Sequence, residues 1–200
     1  MYLKAVIFDF DGTLTKQGSI DFKKIKEQIG CHENQYILKY INTLTEKNKI
    51  SALSILDRLE YEAAEESEEE LYVSEVIRFL KKKRIPAVII SRNSHKSIAR
   101  SLENFTDITS HSFYRIISRD DPFPVKPDPS SIFQIASDLQ ISPEEIIIVG
   151  DYIHDISAGI NGGCKTIYKI TGRDIDHLVK SDYRIISLKE LIPIFTSMCP

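Results

Sequence analysis

The sequence predicts an α/β protein: a doubly wound parallel sheet with a small, inserted all-helical cap. Short apolar runs typical of buried strands occur at 5–8, 87–90 and 146–149. From residue 67 onward, such runs alternate with segments of helical periodicity. Residues 16–66 show helical periodicity and no strong strand pattern. We therefore expect residues 1–15 and 67–200 to form the core and residues 16–66 to form the cap.

The first predicted strand ends in two carboxylates. Asp9 and Asp11 follow the apolar run 5–8, and residues two apart in an extended segment point to the same side. Two close carboxylates raise one pKa unless a cation lies between them. The pair therefore indicates a hard metal ion or acid–base chemistry. Gly12 permits the tight turn that follows.

The cap is predicted to contain three helices. Ser19 is the expected cap of a helix that runs to Ile29, and further helices are expected at about 34–47 and 51–66. Directly afterwards, Ser67 and Glu70 match a capping box, which predicts that the next helix begins at Ser67.

Polar residues also follow the later strands. Ser91 ends the run 87–90, Asp151 follows the run 146–149, and Asp155 lies four residues further on. Lys126 lies in a loop stiffened by two prolines. Because ligands bind at the carboxyl ends of parallel strands, we expect these side chains to converge. Carboxylates, a hydroxyl, a lysine and helix-start amides suit a phosphoryl group.

Four ordered segments carry a family resemblance that spans almost the whole chain outside the cap. They resemble the motifs of the haloacid dehalogenase superfamily, in particular phosphoglycolate phosphatase-like members with a small C1-type helical cap. The segments are Asp9-Phe10-Asp11-Gly12-Thr13-Leu14, Ser91, Lys126-Pro127-Asp128-Pro129 and Gly150-Asp151-Tyr152-Ile153-His154-Asp155.

The resemblance implies catalytic roles for three residues. Asp9 is the expected nucleophile and Asp11 the acid and base, while Lys126 stabilises Asp9 and the transferred phosphoryl group. The implied activity is hydrolysis of a small phosphorylated metabolite by a Mg²⁺-dependent phosphatase, through an aspartyl-phosphate.

The resemblance also implies binding residues. Ser91 and Lys126, with amides near Gly12 and Asn93, are expected to hold phosphate. Asp9 and Asp151, with the backbone carbonyl of Asp11, are the implied Mg²⁺ ligands. Asp155 is expected to contact a metal-bound water or Lys126.

Simpler interpretations stay open for several residues. Asp155 and Asn93 also fit helix caps, Arg92 also fits a solvated side chain, and His154 is expected to lie on the surface without a role. Other side chains near the cap are expected to be solvated more often than to touch substrate: Lys16, Gln17, Lys49 and Arg58.

Two alternative functions are compatible with the same motifs. One is a phosphomutase of the β-phosphoglucomutase type, although no cap motif for it is evident. The other is a non-catalytic regulatory protein, which the intact set of motif residues disfavours. A dehalogenase is disfavoured because that chemistry does not use the second carboxylate, here Asp11.

Composition restricts the partners and the compartment. The net charge is −3 with both signs mixed, so nucleic acid is not an expected partner. Apolar runs are far shorter than a membrane span, and we expect no signal peptide because Met1 leads almost at once into the first predicted strand. Three scattered cysteines fit neither a disulfide framework nor a metal site, so we expect a cytoplasmic protein. The expected oligomeric state is a monomer or a homodimer.

Overall fold

The computed structural model describes residues 2–18, 20–173 and 176–199. Its strands form one all-parallel sheet in the order β3-β2-β1-β4-β5-β6, which confirms the predicted doubly wound α/β class. The strands are β1 Ala5–Phe8, β2 Ala87–Ile90, β3 Arg115–Ile117, β4 Ile146–Gly150, β5 Lys165–Lys169 and β6 Tyr183–Ile185.

Eight α-helices lie within the described ranges. They are α1 Phe22–Ile29, α2 Ile37–Ile41, α3 Glu46–Glu65, α4 Val73–Lys83, α5 His95–Leu102, α6 Ser130–Leu139, α7 Ile153–Gly162 and α8 Leu191–Met198. Side chains of α4, α5 and α8 share one apolar cluster with the sheet, and side chains of α6 and α7 share another. No helix of the described residues combines the length and apolar character needed to cross a membrane.

The central strand β1 is buried on both faces. Val6 and Phe8 belong to one cluster and Ala5 and Ile7 to the other, and all four are 0% exposed. The strand pairs with β2 on one side and β4 on the other, so the strand order reverses at this point. In open α/β sheets this reversal opens a crevice at the carboxyl ends of the strands.

Residues 16–66, called here the helical segment, contain α1 to α3 and no strand among the residues that are described. The segment has an apolar cluster of its own, which includes Ile25, Ile41 and Leu56. Asp21 caps α1 by accepting a hydrogen bond from the amide of Lys24 at 2.9 Å. Ser19, the predicted cap, lies outside the described residues.

The predicted bounds of the second and third helices were wrong. Helix α2 covers only Ile37–Ile41 instead of about 34–47, and α3 begins at Glu46 instead of 51. Apolar spacing is continuous through the connection between them, so periodicity alone does not locate the break.

The predicted helix start at Ser67 was also wrong, since α4 begins at Val73. The chain instead runs back beside the end of the first motif, where the amide of Lys16 donates to the Glu68 carbonyl and the amide of Glu70 to the Leu14 carbonyl, each at 2.9 Å. The Glu70 amide, which a capping box would have bonded to the Ser67 side chain, is therefore already occupied. Ser94 caps α5 by accepting a hydrogen bond from the Ser97 amide.

Candidate active site

The polar residues predicted at the strand ends meet around one cavity. Asp9 directly follows β1 and its amide donates to the Val149 carbonyl of β4 at 2.9 Å. The cavity, of about 590 Å³, lies between the carboxyl ends of the strands and the helical segment, and its lining includes Asp9, Asp11, Ser91 and Asp151. The topology therefore brings together Asp9 and Asp151, which lie 142 positions apart in the sequence.

Lys126 is the buried cation of the site and is only 3% exposed. Its Nζ contacts Asp9 Oδ1 at 2.5 Å, the Ile90 carbonyl at 2.6 Å and Asp155 Oδ1 at 2.7 Å. An ammonium group has three donors, and each has an acceptor here. Burial lowers the pKa of Lys126, but Asp155 and Asp9 outweigh that effect, so the pKa is raised and the lysine stays charged.

Three carboxylates form an acidic cluster around this lysine. One oxygen from each of Asp9, Asp151 and Asp155 lies within 4.8 Å of the others, and all three residues are buried. Burial and the charge of Asp155 raise the pKa of Asp9 well above its usual value. The same two causes raise the pKa of Asp151 to about 6. The three carboxylates therefore outnumber the cations that contact them, Lys126 and Arg173, and their hard oxygen donors fit a divalent cation such as Mg²⁺.

Asp155 and Asp151 differ in their other hydrogen-bond partners. Asp155 has Lys126 on Oδ1, while its Oδ2 accepts from the Tyr152 amide at 3.0 Å. Arg173 donates to Asp151 Oδ2 at 2.7 Å and to its carbonyl at 2.6 Å. Asp155 thus contacts Lys126, one of the two arrangements that the sequence suggested, and it also caps the turn before α7.

Asp11 is separate from the acidic cluster but faces the same cavity. Burial raises its pKa to about 6, and a hydrogen bond from the Asn93 side chain opposes that shift. A carboxyl group with a pKa near 6 exchanges its proton readily close to neutral pH. Asn93 therefore contacts Asp11, and the cap of α5 is the neighbouring Ser94.

Gly12 and Ser91 shape the floor of the cavity. Gly12 has φ +78°, and a Cβ built on it would lie 2.3 Å from Asp151 Oδ2. Only glycine fits there, because the turn passes directly over that carboxylate. Ser91 is buried, and its Oγ accepts from the Asn93 amide at 3.2 Å, which ties the end of β2 to the start of α5.

An aromatic cluster at the mouth was not predicted from the sequence. Tyr36 from the helical segment packs edge-on against His154, with ring centroids 4.6 Å apart, and His154 packs against Tyr152 at 5.1 Å. Burial and Arg92 lower the pKa of His154 to about 4, so its imidazole is neutral. The prediction that His154 lies on the surface was wrong, because the residue is half-buried and lines the cavity.

A buried ion pair joins α3 to the end of the sheet. Arg119 Nη1 contacts both carboxylate oxygens of Glu60, at 2.7 and 2.8 Å, and both side chains are 5% exposed. Burial raises the pKa of Glu60 to about 7, against the effect of Arg119. The helical spacing does indicate that Glu60 is buried, because it lies between Leu56 and Ala64 on the buried face of α3.

Two of the four side chains near the cap that were expected to be solvated more often than to touch substrate line the cavity. Lys16 and Gln17 line it, together with Lys26 and Arg92. Lys49 is not among the described residues of the lining. Arg58, also outside that lining, instead bonds Glu62 and Gln28 on the surface, as expected for a solvated side chain.

Comparisons with known proteins agree with this arrangement. The family model of haloacid dehalogenase-like hydrolases matches residues 6–169. An uncharacterized hydrolase of Saccharomyces cerevisiae is 31% identical over 203 residues, covering 98% of this chain and 93% of that protein. Pyrophosphatase PpaX of Bacillus cereus is 26% identical over 215 residues, covering 99% of both.

A solved structure shares the fold. A protein of Haemophilus somnus, described as a predicted phosphoglycolate phosphatase, superposes with a TM-score of 0.74 at 18% identity, covering 96% of this chain and 97% of that one. The family match and the yeast relative both span most of the chain. The protein is therefore an enzyme of the haloacid dehalogenase-like hydrolase family.

Proposed function

We propose that this protein is a Mg²⁺-dependent phosphatase that hydrolyses a small phosphomonoester through an aspartyl-phosphate on Asp9. One observation carries the proposal: Asp9, held by Lys126 at 2.5 Å, faces the cavity beside a second carboxyl group, Asp11, whose pKa is about 6. A fixed nucleophile next to an acid–base group is the arrangement that a two-step displacement needs.

In the first step, an Asp9 oxygen attacks phosphorus and the bond to the leaving oxygen breaks. Asp11, in its protonated form, gives its proton to that leaving oxygen. In the second step, the Asp11 carboxylate takes a proton from water, whose oxygen attacks phosphorus and releases inorganic phosphate and free Asp9. A pKa near 6 suits both roles, because each form is populated near neutral pH.

Positioning of the phosphoryl group is assigned to the strand ends. Ser91, Asn93 and the turn at Gly12 lie around Asp9 in the cavity and supply hydroxyl, amide and backbone N–H donors. Lys126 supplies a fixed positive charge, since its other donors are already held by Ile90 and Asp155. Fixed donors of this kind stabilise charge in the transition state without rearranging.

Mg²⁺ would be held by Asp9 and Asp151, with the backbone carbonyl of Asp11, and Asp155 would act through Lys126 or a water. When bound, the ion would neutralise phosphoryl charge in the cavity. The support for this assignment is the acidic cluster, which carries three carboxylates around one buried lysine.

The names of the relatives support a phosphorylated substrate. The Bacillus cereus relative is named a pyrophosphatase, and the Haemophilus somnus structure is described as a predicted phosphoglycolate phosphatase. We infer a small phosphorylated metabolite as partner and a monomer or homodimer in the cytoplasm. Cys31, Cys164 and Cys199 are free thiols, which suits a reducing compartment.

Hydrolysis of an aryl phosphate by the purified protein tests the proposal. We expect release of phosphate that needs Mg²⁺, that stops with EDTA, and that Asp9→Asn abolishes. Acid quenching during turnover is expected to trap phosphate on the wild-type protein and not on this variant. Asp107→Asn, which removes an exposed carboxylate far from the cavity lining, is the matched control.

Two results would contradict the proposal. One is a folded preparation that turns over no phosphomonoester. The other is full activity in the Asp9→Asn variant. Transfer of phosphate between two positions of a sugar without net release would support the phosphomutase alternative instead.

A further inference from the structure

Arg92 is a largely buried arginine without a counter-ion. It lines the cavity, and its Nε is buried without a hydrogen-bond partner. No ion pair to Arg92 is found among residues 2–18, 20–173 and 176–199. By contrast, Arg173 in the same cavity is paired with Asp151, and Arg119 is paired with Glu60.

An unpaired buried cation is costly, because the groups that solvate it in water are lost. A buried polar group without a partner therefore calls for an explanation, and a missing ligand is one. The guanidinium group offers a planar fork of donors that matches a carboxylate or a phosphate in two parallel hydrogen bonds. Arg92 is thus built to receive an anion.

The backbone of Arg92 is anchored, and its side chain lies near charged and aromatic groups of the site. The backbone carbonyl accepts from Arg119 Nη1 at 3.0 Å. The side chain lies within electrostatic reach of Asp155, Asp9, Tyr152 and Tyr36. The guanidinium group is therefore near both the proposed nucleophile and the aromatic cluster.

We infer that Arg92 binds a second anionic group of the substrate, so that the preferred substrates are phosphomonoesters that carry a carboxylate or a further phosphate. The inference rests on the proposed phosphatase function. The phosphoryl group at Asp9 already has Lys126 and the donors of the strand ends. The charge of Arg92 serves the part of the substrate that extends toward Tyr36.

Paired substrates test this inference. Each pair shares a phosphoryl group and differs in one anionic group: phosphoglycolate against 2-hydroxyethyl phosphate, 3-phosphoglycerate against glycerol 3-phosphate, and glucose 1,6-bisphosphate against glucose 6-phosphate. The measurement is the ratio of kcat/KM within each pair. We expect the wild-type protein to prefer the anionic member in at least one pair.

Arg92→Met is expected to lower that ratio by about 10- to 100-fold, the range for the loss of a charge-assisted hydrogen-bond pair. Arg92→Lys keeps the charge without the fork, so an intermediate ratio is expected. Arg78→Met removes an exposed arginine on α4 and is expected to leave the wild-type ratio. The loss should appear mainly in KM, since the second anionic group does not react.

The same data separate failure of this inference from failure of the proposed function. If both members of every pair are hydrolysed and Arg92→Met leaves the ratio unchanged, the inference is wrong while the phosphatase stands. A wild-type preference for the uncharged members would also overturn it. Absence of hydrolysis for every substrate, including an aryl phosphate, would instead contradict the proposed function.

Discussion

Two charge clusters border the cavity, and the balance of their buried charges differs. At the strand ends, the three buried carboxylates of Asp9, Asp151 and Asp155 face the buried Lys126 and the half-buried Arg173. Under the helical segment, Arg119 contacts both carboxylate oxygens of the buried Glu60 and also the exposed Asp57. The first cluster keeps an excess of buried negative charge, which is typical of functional sites, whereas the buried charges of the second are one to one and resemble a structural link.

Lys126→Met tests the first cluster and should have the largest effect. Removal of the cation leaves Asp9 and Asp155 facing each other in a buried site, so Asp9 is expected to take up a proton and lose nucleophilicity. We expect kcat/KM to fall by about a thousand-fold or more, as for other residues that act as a unit with the nucleophile. A loss smaller than tenfold at saturating Mg²⁺ would show that the lysine is not needed.

Arg119→Met tests the second cluster. It leaves the Glu60 carboxyl buried without its partner, and we expect the free energy of unfolding to fall by about 3 kcal/mol. Denaturant unfolding of the wild-type protein, of the single variants Arg119→Met and Glu60→Gln, and of the double variant Glu60→Gln/Arg119→Met measures the coupling free energy, because the double variant removes both charges. If the double variant is no more stable than Arg119→Met, the pair is not the link described above.

Gly12→Ala asks how closely the turn and the acidic cluster are joined. The added Cβ would lie 2.3 Å from Asp151 Oδ2, so the carboxylate must move. We expect the Mg²⁺ concentration needed for half-maximal activity to rise about 30-fold, which is in the range for a disturbed metal site. Gly163→Ala is the matched control, since Gly163 has φ +76° with nothing within 4 Å of the added Cβ. Equal effects on activity would point to backbone strain alone.

The pH dependence of stability is the most gradual of the expected effects. The pKa of Glu60 rises from 4.5 to about 7 on folding, mainly through burial, so the folded state binds this proton more tightly than the unfolded state. Through this group alone, the free energy of unfolding falls by about 1 kcal/mol per pH unit as pH rises from about 4.5 to about 7. The raised pKa values of Asp11 and Asp151 act in the same direction and stay in the Glu60→Gln variant. Denaturant unfolding in EDTA at several pH values measures this, and the free energy of unfolding of Glu60→Gln should depend less steeply on pH than that of the wild-type protein. A steeper profile would contradict the assignment.

The residues of the first cluster were predictable from the sequence, and those of the second were not. Asp9, Asp11, Ser91 and Asp151 follow apolar runs directly, and the topology of a parallel sheet brings such positions together. The strands themselves were predictable because burial on both faces leaves continuous apolar runs. The meeting of these residues at one cavity follows from local pattern plus a general rule of topology.

The cavity walls under the helical segment were not predictable in this way. Glu60 and Arg119 are 59 residues apart and Tyr36 and His154 are 118 apart, with no repeating pattern to pair them. Ser67 shows the opposite failure, since a valid local signal was overridden by the backbone pairing described above. Contacts between segments of different type depend on side-chain fit, which spacing alone does not encode.

The pairing of Thr15 with Glu69 has a consequence for engineering. Because the chain leaves and re-enters the sheet domain at adjacent points, residues 16–68 form a loop whose two ends already touch. A short turn joining the two flanks would preserve the connectivity of every strand. We therefore predict that the helical segment can be exchanged for another one, which would alter what enters the cavity. Simple deletion would instead uncover the face of α5 that α3 now covers.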